Sequence, residues 1–286
     1  MMTLKEIRKK IKATKSIQKT VNVMQMISAT RFQKTQTQLI PCRLYTSKIQ
    51  QLLFSILLEK GSSCLRPFLI GNLSTTGVPH SKEGLLVVTS DKGLCGGYNT
   101  NTIKSALKLI KTKKIDDWEI FVVGAKGLNY FNRNGINVKH KYTDIFANFS
   151  FVEAETVTDE IVKVFKNLHL KRFSVVYSEY KSIFYQPVIV KQLLPILENK
   201  DGEHKFDYIY ESSKENTVNK LIDIYIKAEV FRILLEARTS EFAFRRNAME
   251  SANKNSIEII DDLSLTLGNL RQQRITTELS EIVGAG

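Results

Sequence analysis

From residue 215 to 283 the chain contains no proline and a single glycine, Gly268. Ile224, Ala228, Phe231, Leu235, Arg238, Phe242, Arg245, Met249, Ala252, Ser256, Ile259, Leu263, Thr266 and Leu270 recur through it at spacings of four and three, and ten of these fourteen are apolar. A seam kept over more than six heptads specifies a helix rather than a strand or loop. At about 1.5 Å per residue, such a helix is roughly 100 Å long, several times the width of a small domain. It needs a partner along its length.

The other end of the chain supplies one. Residues 3–58 read as a second long helix, with Ile7, Ile11, Thr14, Gln18, Val21, Gln25, Ser28, Phe32, Thr35 and Leu39 on one stripe. That stripe is thin and partly polar, so the helix does not stand alone. Pro41 is expected to kink it, because proline removes an intrahelical bond and crowds the preceding turn. Lys60, Gly61 and Pro67 are expected to mark its end. Two such helices most simply form an antiparallel, left-handed coiled coil. A helical bundle wrapped around the middle of the chain has the same periodicity and stays open.

Between them the pattern changes to strand–helix alternation. Strands are expected at Gly84–Ser90, Glu119–Val123, 136–141, Phe173–Glu179 and Tyr185–Val190, with helices at Asn99–Lys111, Lys126–Asn132 and Thr156–Leu168. This predicts an α/β layer on a largely parallel sheet. The resulting division is 1–60 for the N-terminal coiled-coil helix, 61–210 for the α/β domain and 211–286 for the C-terminal helix.

The net charge is +13, and residues 1–34 carry nine Lys or Arg against one Glu, a local charge of +8. Such a segment suits an acidic partner or a solvated surface. Cys42, Cys64 and Cys95 are widely spaced with no CxxC pair, and the four histidines are scattered, so neither a zinc site nor a dithiol is indicated. A reducing compartment fits this cysteine usage. The longest apolar run, Leu52–Leu58, is far shorter than a membrane span of about 20 residues. No apolar segment follows the charged start, so no signal peptide is expected.

Gly93, Gly96 and Gly97 follow a strand and precede a helix. The arrangement allows a phosphate cradle at a helix N-terminus, but neither GxxxxGK[ST] nor GxGxxG is present. A tight strand-to-helix turn is the simpler reading. Cys95 lies in the same turn with no histidine near in sequence, and reads as a buried small apolar group. No nucleophile–base set or carboxylate pair is identifiable, and no cofactor is expected.

Three blocks carry a family resemblance. SDKGLCGGYNTN at Ser90–Asn101 follows the first strand. EFAFRRNAMESANKNSIEIIDDLSLTLGNLRQQRITTELSEIVGAG runs from Glu241 to the end, and EIRKKIKATKSIQKTVNVMQMISATRFQK lies in the first helix. In that order, over the full length, they resemble the γ subunit of F-type ATP synthases. Leu270, Arg274, Thr20 and Val21 depart from the family's usual residues. The insertion with a regulatory cysteine pair found in plastid members is absent, so redox regulation of that kind is not expected.

The resemblance implies a Rossmann-like α/β body flanked by two terminal helices in an antiparallel coiled coil, acting as the central rotor shaft of a proton-translocating ATP synthase. It implies a non-catalytic subunit whose partners are the α and β subunits of the catalytic ring, the ε subunit and the membrane c-ring, on the cytoplasmic face of a bacterial inner membrane. The match begins near Leu4, which leaves no expected room for a leader. By position it assigns partner-contact or coupling roles to Met24, Arg245, Arg271, Gln272, Thr276 and Glu278, with Ile275–Val283 as an apolar bearing. For Arg245, an exposed coiled-coil edge is the competing reading. Two other classes remain to be weighed. One is a basic coiled-coil protein binding nucleic acid, consistent with charge but without a recognition motif. The other is a small α/β enzyme, which leaves both long helices without a task.

Overall fold

The computed structural model describes residues 3–58, 82–112, 117–196 and 214–284. The element order is α1 (Leu4–Leu58), β1 (Glu83–Val88), α2 (Tyr98–Ile110), β2 (Trp118–Val123), α3 (Ala125–Arg133), β3 (His140–Tyr142), α4 (Phe151–Asn167), β4 (Phe173–Ser178), β5 (Val188–Leu194) and α5 (Lys214–Gly284). They fall into two compact units, Phe32–Phe244 and the pair Met1–Arg31 with Arg245–Gly286.

The larger unit is built on a five-stranded sheet of order β3-β2-β1-β4-β5. The first four strands are parallel and β5 returns antiparallel to β4. All six residues of β1, β2 and β4 are buried, as strands covered on both faces must be. Alternation splits them between two cores. Leu85, Val87, Ile120, Val122 and Val176 pack with Ala106 and Ile110 of α2 and Phe131 of α3. Leu86, Val88, Phe121, Val123, Val175 and Tyr177 pack with Ala154, Val157 and Ile161 of α4, Leu53 of α1 and Ile233 of α5. The body is therefore a three-layer α/β sandwich, and the inner segments of both long helices belong to its third layer.

Local chemistry moved several boundaries. The third strand, expected from 136, begins at His140. Gly135, at φ 70°, first closes the end of α3, and Ile136 donates to the Phe131 carbonyl. The fifth starts at Val188 rather than Tyr185, because Tyr185 and Ser182 exchange backbone bonds in a turn. Helix α4 starts at Phe151, five residues before the expected Thr156. Ser150 and Glu153 form a capping box there, with the Glu153 carboxylate accepting from the Ser150 N–H at 2.8 Å. Helix α1 is continuous through Pro41. Its expected stop signals at Lys60, Gly61 and Pro67 lie outside the described residues.

The stripe on α1 is the buried one. From Ile7 to Leu39 each stripe position is buried or half-buried, while most intervening positions are exposed. On α5 the stripe needs correction. Ile224, Ile259 and Thr266 are exposed, and Ile260 and Leu267 take the inward positions beside Ser256, Leu263 and Leu270. A swap of the four- and three-residue steps leaves the same heptad count, so periodicity did not separate the two registers. Between Tyr225 and Ala243 nearly every position is buried or half-buried, because the body surrounds that stretch. Within the smaller unit Leu267 lies beside Ile11, and within the larger unit Glu236 pairs with Arg43.

Candidate partner-contact site

The open sheet reverses its strand order at β1, whose neighbours are β2 and β4. Ligands of such folds bind outside the carboxyl ends of the strands at that point. Here the segment leaving β1 is closed by its own side chains. The Ser90 N–H donates to Asn99 Oδ1 at 2.9 Å, Asn99 Nδ2 donates to Ser90 Oγ at 2.8 Å, and Ser90 Oγ donates to the Lys92 carbonyl at 2.7 Å. Asp91 Oδ1 accepts from the N–H groups of Ala125 and Asp144, joining the start of α3 to the loop after β3. Cys95 is buried, its sulfur 3.1 Å from Asn99 Nδ2. Tyr98 is buried edge-on to Phe244.

Of the three turn glycines, Gly96 has φ 53°, the left-handed region that favours glycine. A Cβ at Gly97 would lie 3.2 Å from Asn101 Nδ2, and one at Gly93 would meet only Lys126 at 3.7 Å. Among the described residues, no three His, Cys, Asp or Glu side chains gather in a way that would hold a metal ion.

The residues singled out as partner contacts all lie in the smaller unit, on two helices. Arg271, Gln272, Thr276 and Glu278 occupy the last turns of α5, all exposed. The Thr276 hydroxyl donates to the Gln272 carbonyl at 3.0 Å. Glu278 pairs at 2.9 Å with Arg274, one turn earlier. Ile275, Leu279 and Ile282 form an exposed apolar stripe on the same turns. Arg245 is half-buried and, at helical rise, roughly 40 Å from Arg271 along α5. Met24 is on α1 and about one-third exposed.

Near the start of α1, Arg8, Lys12, Lys15 and Lys19 follow one face at spacings of four and three. With Ile11, Ser16 and Leu267 they line an open groove of about 530 Å³. Four cations along one groove raise the local potential for an acidic ligand.

Sequence reasoning missed a second polar constellation, inside the larger unit. Glu229, Arg232 and Glu236 share one face of α5. Arg232 bonds both Glu229 oxygens at 2.8 and 2.9 Å and Glu236 at 2.5 Å. Lys191 of β5 reaches Glu229 at 2.6 Å, and Arg43 of α1 bonds both Glu236 and the Tyr180 carbonyl. Burial pushes the Glu229 carboxyl up, but the hydrogen bonds and charge of Arg232 outweigh it and hold the group below its ordinary range. Burial likewise pulls Arg232 down, and the Glu229 carboxylate more than restores it. The spacing of Glu229, Arg232 and Glu236 at three and four was the available signal. It reads equally as a solvated face.

A family model described as ATP synthase matches residues 3–286. The ATP synthase gamma chain of Chlorobium phaeobacteroides is 33% identical over 290 residues, covering 99% of this chain and 98% of the relative. That of Geobacter metallireducens is also 33% identical, covering 99% and 97%. This chain belongs to the ATP synthase gamma family. Its fold agrees with that of a chain in the Euglena gracilis mitochondrial ATP synthase, in a structure of OSCP, F1 and c-ring, with a TM-score of 0.67 at 19% identity over 99% of this chain and 93% of that one. A chain from the central stalk and c-ring of the Tetrahymena thermophila mitochondrial enzyme gives 0.61 at 21% identity, covering 81% and 98%. The gamma-family match spans both compact units. Among the described residues no helix is long and apolar enough to cross a membrane.

Proposed function

We propose that this gamma-family chain is the central-stalk rotor subunit of a proton-translocating F-type ATP synthase, coupling rotation of a membrane ring to conformational cycling of catalytic β subunits. The observation that carries the reading is the family match from residue 3 to 286, across both long helices and the α/β body. Catalysis belongs to the β subunits, and this chain is a non-catalytic subunit that their coupled activity requires. Nothing in the comparisons favours a nucleic-acid-binding protein.

In this reading the exposed last turns of α5 are the bearing and the switchable contact. Arg271, Gln272, Thr276 and Glu278 meet polar loops of the surrounding α and β subunits, while Ile275, Leu279 and Ile282 supply a surface of low specificity. An arginine–carboxylate contact is directional and is remade at each step. Met24 and Arg245 are further coupling positions on the helix pair, and the groove lined by Arg8, Lys12, Lys15 and Lys19 faces acidic segments of the ring. The α/β body meets the ε subunit and the c-ring, which places the chain at the cytoplasmic face of a bacterial inner membrane as a peripheral component. A rotor acts by differential contact, favouring one state of a bistable partner at each angle.

Co-expression with cognate α and β subunits tests this. The expected product is a complex containing one copy of this chain, with ATPase activity that depends on its presence. A correctly folded chain that joins no such ring overturns the reading. Charge reversal at Lys10 and Lys19 is expected to weaken assembly or coupling in a salt-dependent manner.

A further inference from the structure

A rotor must carry load between its body and its helices, and the apolar contacts between them are poorly suited to that. Burial is non-directional: it resists separation but distinguishes weakly between neighbouring registers of two smooth helices. The larger unit contains one chain of directional contacts that touches every part involved. Arg43 comes from α1, Lys191 from the edge strand β5, Tyr177 from its neighbour β4, and Glu229, Arg232 and Glu236 from α5. Both carboxylates are almost fully buried, with side-chain exposure of 3% for Glu229 and 0% for Glu236. Arg43 and Lys191 close the chain at its ends and are each 39% exposed. Arg43 also holds the Tyr180 carbonyl, and Tyr180 packs edge-on to Phe32 of α1 at 5.5 Å.

Buried ion chains of this kind often add little net stability over apolar side chains of equal volume, and their best-attested use is to fix register. We propose that Arg43–Glu236–Arg232–Glu229–Lys191 is the register lock of the rotor, holding α1, α5 and the sheet edge against sliding when torque passes between them. Arg43 and Lys191 are positioning residues, acting through the two buried carboxylates. A slip of α1 by about one turn removes the Arg43 guanidinium from Glu236 and leaves a buried carboxylate short of a partner, while an apolar stripe spaced at three and four can re-form. The lock rests on the rotor reading above.

The test is a complex reconstituted with cognate partners in liposomes, read as ATP-driven proton pumping per ATP hydrolysed. Arg43→Met keeps an unbranched stem and removes the guanidinium. The expected result is ATPase within about twofold of the unaltered complex with a severalfold lower pumping ratio. Arg43→Lys, which keeps charge without the guanidinium, restores part of the ratio. Lys191→Met gives a smaller fall. A purely structural role would lower assembly while leaving the ratio of the assembled complex unchanged, and an unchanged ratio overturns the lock. If Arg43→Met does not assemble, Arg43→Lys and Lys191→Met are read by the same ratio: a lowered ratio supports the lock and an unchanged one overturns it. Failure of the unaltered chain to assemble and pump refutes the rotor reading instead.

Discussion

Asn99 binds Ser90 through both ends of its amide: its Oδ1 accepts from the Ser90 N–H at 2.9 Å and its Nδ2 donates to Ser90 Oγ at 2.8 Å. The pair spans the turn between β1 and α2 and fixes the segment that in other open sheets holds a ligand. Asn99→Ala leaves the Ser90 N–H short of a partner in a confined site. The expected cost is about 1–3 kcal/mol, seen as a lower midpoint in urea unfolding with unchanged ATPase per assembled complex.

Gly124 is where the fold tolerates no side chain. It has φ 95°, and a Cβ there would lie 2.2 Å from the Thr89 carbonyl oxygen. Gly124→Ala therefore meets both backbone strain and a clash with backbone. It is expected to cost at least about 2 kcal/mol, measured by thermal or denaturant unfolding of the chain.

Gly268 has the opposite sign. It lies inside α5 with nothing within 4 Å of a built Cβ. Gly268→Ala removes the entropy penalty of a helix-interior glycine and is expected to stabilise the helix by up to about 1 kcal/mol. Circular dichroism on heating reads this directly.

Acid weakens the sheet edge through Glu160. Burial raises its pKa, but the Tyr142 hydroxyl and the His140 ring bond the carboxylate and hold it below the ordinary value. A depressed carboxyl contributes stability above its unfolded pKa, about 4.3, and loses it as pH falls through the folded value. Stability should thus decline below roughly pH 4.5, and Glu160→Gln should flatten that decline in unfolding midpoints taken across pH.

Glu278 separates partner contact from stability. Its pair with Arg274 is exposed on the last turns of α5. Exposed pairs spaced by four on a helix contribute roughly 0.3–0.5 kcal/mol. Glu278→Ala should leave the melting temperature of the free chain within about 1–2 °C. A fall in coupled ATP turnover of the assembled complex then reports a lost contact with the ring. Unchanged turnover removes Glu278 from the coupling set.

Periodicity and turn chemistry made most of the fold legible. The stripe from Ile7 to Leu39 is the buried face of α1, and the expected strand runs became four parallel strands and one antiparallel strand, with shifted ends. Errors fell where two local codes competed. Ile259 and Ile260 are adjacent isoleucines, and only the partner helix decides which one turns inward. Tyr185 has strand propensity, but Ser182 draws it into a turn.

The sequence by itself determined two long helices and an alternating α/β middle, because a sustained 3.5-residue period, short apolar runs and punctuating glycines are local properties of the chain. Its ordered blocks also determined the family. Tertiary structure alone decided that Glu229, Arg232 and Glu236 are buried and meet Arg43 and Lys191. A polar stripe on a helix is solvated or sequestered according to what is packed against it. The partners here lie 193 residues away along the chain for Arg43 and Glu236, a separation over which no local pattern carries information.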